Sequence, residues 1–187
     1  MIENNWITLV KPNKVDYKIS DNKKFGTVVI EPLEKGFGTT LGNALRRVLL
    51  SSLQGTAISS IKINGVLHEF STIEGVREDV TDIIMNLKNV TFNSKSNHSQ
   101  KLTLNVKGPK EVISSDFEEN PDVEIIDKDA VIMNVDSNRE VNLEIFLDVN
   151  KGYISAEKNK DNENKSVGQI ILDATYSPVK RVSFNVE

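Results

Sequence analysis

The clearest periodic signal lies in residues 39–53, where Leu41, Ala44, Leu45, Val48, Leu49 and Ser52 recur at the three- and four-residue steps of an α-helix. A turn-rich lead-in over residues 32–38 precedes it, Thr39 or Thr40 is placed to cap its first amides, and Gly55 stands where a left-handed C-terminal cap would fall. Upstream the period changes to two. Residues 6–11 (WITLVK) predict a short strand broken at Pro12, and residues 15–20 (VDYKIS) and 25–31 (FGTVVIE) flank a polar turn as an antiparallel hairpin. The helix is expected to lay its apolar stripe on that hairpin.

Beyond Gly55, residues 57–63 predict a strand, Asn64-Gly65 a tight turn, and residues 66–71 a returning antiparallel strand. Val76, Val80, Ile83, Ile84 and Leu87 then predict a second amphipathic helix, with Glu78, Asp79 and Asp82 on or near its wet side. Residues 101–107, the VEII run after Pro121, 130–135 and 141–149 read as strands of an antiparallel sheet. Residues 158–165 read as a charged loop, and 167–172 and 181–186 as further strands around a turn at Ser177-Pro178.

On the helix of residues 39–53, the face opposite the stripe carries Asn43, Arg46, Arg47 and Leu50. Two guanidiniums beside a leucine fit a protein-docking surface, because Arg tolerates interface burial by pairing and stacking. A solvated basic face with one stray leucine fits the same pattern.

Three blocks, residues 31–52, 63–88 and 171–187, resemble the bacterial RNA polymerase alpha subunit N-terminal domain, in the family's order and over nearly the whole chain. The resemblance implies an α+β fold: a split dimerisation domain, residues 1–55 and 176–187, with a mostly-β domain of residues 56–175 inserted. It implies an assembly platform that forms a homodimer and recruits the polymerase beta and beta-prime subunits for DNA-templated transcription. Position by position, it assigns Leu41, Leu45, Val48 and Leu49 to the dimer interface and helix core. It assigns Arg46, Arg47 and Leu50 to beta, and Lys88, Asp173 and Val179 to beta-prime. The family continues past residue 187 with a helix that completes dimerisation and, later, a DNA-binding domain, so a truncated piece with weakened dimerisation and no direct DNA contact is expected. Archaeal, eukaryotic and plastid polymerase subunits are the related alternatives.

Composition bears on which functions remain. A chain of 187 residues with 38% hydrophobic and 27% charged residues is an ordinary globular composition. No apolar run reaches the roughly 18 residues of a membrane span, and no secretory leader is visible. Zero cysteines exclude disulfides and thiolate chemistry and fit the cytoplasmic, nucleoid-associated location that the resemblance implies. A net charge of −4 argues against wrapping nucleic acid.

No catalytic constellation is expected, and no cofactor or metal; by resemblance the chain is a non-catalytic subunit of a nucleotidyltransferase. Gly36-Phe37-Gly38 lacks the spacing of either phosphate-binding signature, His68-Glu69 has no second histidine at zincin spacing, and no nucleophile elbow surrounds a serine. The non-assembly alternative is a magnesium-dependent enzyme using the acidic residues of 74–82: Glu74, Glu78, Asp79 and Asp82. A solvated helix face is the simpler account of the same residues.

Overall fold

In the computed structural model, residues 8–22, 24–136, 138–161 and 168–187 are described. They form an α+β fold of twelve strands and three α-helices. By contact density the chain divides into two compact units, Met1–Val48 with Arg181–Glu187, and Leu49–Lys180.

The larger unit is built on strand alternation. Its central four-stranded antiparallel sheet has the order β11 (Gln169–Ile171), β3 (Gln54–Ile63), β9 (Glu140–Lys151), β5 (Gln100–Lys107). Along β9, Val141, Leu143, Ile145 and Leu147 point inward at every second position. They meet Leu102, Leu104 and Val106 of β5 and Ile61 and Ile63 of β3 in one buried cluster. Each such side chain, fully buried, contributes about 1.5–3 kcal/mol gross. Helix α2 (Val80–Asn89) adds Val80, Ile83, Ile84 and Leu87 to the same core. Three short antiparallel pairs complete the unit: β4 (Phe92–Ser94) with β7 (Val123–Ile125), β6 (Lys110–Ile113) with β8 (Val131–Val135), and β10 (Tyr153–Ile154) with β12 (Ala174–Thr175). Helix α3 (Ala156–Asp161) lies between β10 and β11 in the chain.

The smaller unit contains the hairpin β1 (Lys14–Ile19) and β2 (Gly26–Glu31), in register Val15↔Ile30 and Tyr17↔Val28, and most of helix α1 (Phe37–Ser51). Residues 181–187 run past α1 without joining a strand. A Cβ added at Gly42 would stand 2.5 Å from a Phe184 ring carbon, and one at Gly38 2.7 Å from Val186 Cγ1. These two glycines, one helical turn apart, make room for apolar side chains of the C-terminal segment.

Several sequence expectations are corrected. Helix α1 buries none of its residues, so its stripe does not close on the hairpin. One helix and a two-stranded sheet are too small a set of elements to enclose a core of their own. It begins at Phe37, whose N–H bonds Glu34 O at 3.0 Å, so Thr39 and Thr40 lie inside the helix instead of capping it. Gly55 caps no helix; it belongs to β3. Residues 66–71 form no strand, because both edges of β3 are occupied, by β9 and β11. Val76 precedes α2: Gly75 at φ 81° and a bridge from Val76 to Val135 keep the chain extended until Asp79 caps the helix, accepting from Asp82 N–H at 2.7 Å. Residues 8–11 join no strand, and the first part of the strand expected there lies outside the described residues. The start of the expected charged loop is helix α3, and its remainder also lies outside them. Residues 181–186 are not a strand, since no ladder partner stands beside them among the described residues.

Candidate functional site

Helix α1 carries the first set of expected site residues. Arg46 and Arg47 are exposed, Leu50 is half-buried, and all three share the helix side away from Leu41, Leu45 and Val48. Leu41 and Leu49 are half-buried, whereas Leu45 and Val48 are exposed.

The second set meets in the larger unit. Lys88 lies in the last turn of α2, where a cation favours the negative end of the helix dipole. Asp173 lies between β11 and β12, 85 residues further along the chain. The Lys88 ammonium donates to the Asp173 carboxylate, and the pair sits in the wall of a groove of about 510 Å³. The start of β3, the segment from the end of α2 through β4, and residues 173–178 form its walls. Val179 is half-buried, its carbonyl accepting from Ser177 Oγ at 3.1 Å; its neighbours Pro178 and Lys180 line the groove instead.

Sequence reasoning missed what shapes this groove. Gly55 is there because the Tyr176 carbonyl passes over β3, where an added Cβ would stand 1.9 Å from its oxygen. Tyr176 is buried, and its N–H is fixed to Gly152 O at 2.7 Å. The sequence offered no clear signal for this close approach, because Gly55 falls between the helical pattern and the strand expected at residues 57–63.

The acidic residues of the alternative reading point to separate structural partners. Glu74 pairs with Arg139 at 3.0 Å and Asp79 caps α2. Glu78 lies before the helix, off the wet face expected for it, and accepts from Asn134 N–H at 2.6 Å and Asn134 Nδ2 at 2.8 Å. Burial pushes the Glu78 carboxyl up, but these Asn134 bonds, the Glu78 backbone N–H and the nearby Arg77 charge together outweigh it and hold the group below the usual carboxylate range. Among the described residues no three His, Cys, Asp or Glu side chains are grouped to hold a metal ion. His68 Nδ1 lies 3.1 Å from Ser71 Oγ in an exposed turn, and among the described residues no helix is long and apolar enough to cross a membrane.

A family model of the RNA polymerase Rpb3/RpoA insert domain matches residues 61–177, more than half of the chain. The chain belongs to this family. It is an RNA polymerase alpha-type subunit domain, a member of a transcription complex. The match begins within β3 of the polymerase subunit and ends just past β12, so it takes in α2, the central sheet, Lys88 and Asp173.

Proposed function

We propose that this chain is the assembly platform of its polymerase: it pairs with a second copy and recruits the beta and beta-prime subunits. In this reading residues 1–55 and 176–187 serve dimerisation and residues 56–175 form the inserted domain. The observation that carries it is the smaller unit, in which no described residue is buried. One face of its hairpin is apolar and uncovered, with Val15 58%, Tyr17 73%, Ile19 63% and Val28 60% exposed. Leu45 at 41% and Val48 at 50% are exposed on α1 as well. Uncovered apolar faces of this kind mark an interface. A second copy covers the α1 stripe of Leu41, Leu45, Val48 and Leu49. Arg46, Arg47 and Leu50 receive beta, and Lys88, Asp173 and Val179 receive beta-prime. The chain performs no catalytic step itself, contacts no DNA directly, and works in the bacterial cytoplasm at the nucleoid.

Sedimentation of the chain alone and capture of purified beta test this. The chain should self-associate and retain beta. Arg47→Ala should weaken beta binding by about 2 kcal/mol or more if Arg47 is an interface hot spot. Its folding should change by no more than about 1 kcal/mol, the scale of an exposed charged contact. Equal retention by the mutant removes Arg47 from the site, and a strictly monomeric chain that captures both large subunits removes the dimer.

A further inference from the structure

The turn that ends β3 carries a chemistry that the assembly reading does not use. Asn64-Gly65 is the one Asn-Gly pair in the chain. The turn is closed by Val66 N–H donating to Ile63 O at 3.2 Å, with Gly65 at φ 81°. Asn64 and Gly65 are both exposed, between the buried Ile63 and Val66. The Asn64 carboxamide and the Gly65 N–H make no hydrogen bond among the described residues. A Cβ built on Gly65 would meet nothing within 4 Å, so the main chain there is open to water and no side chain of its own shields it.

These two groups are the electrophile and the nucleophile of one reaction. Asparagine is thermolabile because its carboxamide carbon lies within reach of the next residue's amide nitrogen. A side chain on that next residue crowds the approach, and a hydrogen bond on its N–H withholds the nucleophile. Asn64-Gly65 meets neither obstacle. Asn93-Ser94 meets both: Ser94 has a side chain, and its N–H donates to Thr56 Oγ1 at 3.0 Å, while Asn93 is fixed opposite Glu124 in the β4–β7 ladder. After Asn97, the His98 N–H is likewise taken up, by Ser96 Oγ at 3.2 Å.

We propose that Asn64 is a site of spontaneous deamidation in the folded chain. The Gly65 amide gives its proton to water as its nitrogen bonds to Asn64 Cγ. The Cγ–Nδ2 bond then breaks, and the side-chain nitrogen takes up a proton and leaves as ammonia. Water opens the resulting succinimide at either carbonyl carbon, giving aspartate or isoaspartate. Water enters and ammonia departs, with no oxidation or reduction. Either product adds a negative charge to the turn. Isoaspartate also adds a methylene to the main chain where β3 hands over to residues 66–71, whose Leu67 and Phe70 are 75% and 81% exposed.

The test is peptide mapping by mass spectrometry of the full chain, incubated at neutral pH and physiological temperature. Gly65→Ala, Asn64→Gln and a synthetic peptide of residues 60–68 are incubated beside it, and thermal unfolding checks that each variant chain is folded. The wild-type peptide containing residue 64 is expected to gain the mass of an amide-to-acid exchange and to separate into aspartate and isoaspartate forms. Both variants should lose that product, Gly65→Ala because a methyl group now stands beside the attacking nitrogen. If the synthetic peptide converts while Asn64 of the folded chain keeps its amide, the turn protects it and the proposal is overturned. Acid appearing at Asn93 in place of Asn64, or a Gly65→Ala chain converting as fast as wild type, overturns it too.

Discussion

Gly55→Ala tests how tightly the groove is built. The added Cβ would stand 1.9 Å from the Tyr176 carbonyl oxygen and 3.1 Å from its carbon. An unstrained carbon–oxygen contact is about 3.3 Å or more, so the two backbones must separate by about 1.4 Å. Neither side yields easily. Gly55 is paired through β3 to Asn150 of β9, and Tyr176 is buried with its N–H on Gly152 O. Overpacking of this kind costs about 1–3 kcal/mol, and loss of the Tyr176 hydrogen bond adds about 0.5–1.5 kcal/mol. Restricting the unfolded chain returns about 0.4–1 kcal/mol. The net expectation is a destabilisation centred on about 2 kcal/mol, or about 4–8 °C in Tm for a chain of this size. Urea and thermal unfolding followed by circular dichroism measure it. Gly26→Ala is the control, because its nearest atom, Lys18 O, is 3.7 Å from the added Cβ, an ordinary contact. A Gly55→Ala chain within about 0.5 kcal/mol of wild type would show that the approach is not tight and refute the reasoning.

Three further outcomes follow from single contacts. The Glu78 carboxyl, held below its usual range, contributes stability above its unfolded value of about 4.3 that is lost as pH falls through the lower folded value. Glu78→Gln should therefore flatten the acid side of a urea-midpoint profile against pH; an unchanged profile counts against the Asn134 bonds. Asp79→Ala should cost about 1 kcal/mol by removing the cap of α2, read as a shift in urea midpoint. Gly42→Ala should displace Phe184, and with it residues 181–187, so limited proteolysis should cut that segment sooner than in the wild type. Equal cutting rates would mean that Phe184 finds another seat.

The amino-acid sequence by itself determined the elements whose periodicity is strong and local. Helix α1, the β1–β2 hairpin and strands β3, β5, β8 and β9 were legible because alternation or helical spacing says which face of an element is apolar whatever its partner. The arginine face of α1 was legible for the same reason. Local pattern failed where a neighbour decided the outcome. Residues 66–71 follow a strong hairpin-turn signal at Asn64-Gly65, yet β9 and β11 hold both edges of β3. Val76 sits at helical spacing, yet its bridge to Val135 keeps it extended. Lys88 and Asp173 carried no visible relation in the chain, being 85 residues apart; folding brings them into one groove wall. Gly55 looked like a helix cap because a lone glycine serves equally as a left-handed cap or as a gap for a passing backbone. Only the position of Tyr176 separates the two, since a close approach is a property of two segments and neither one states it alone.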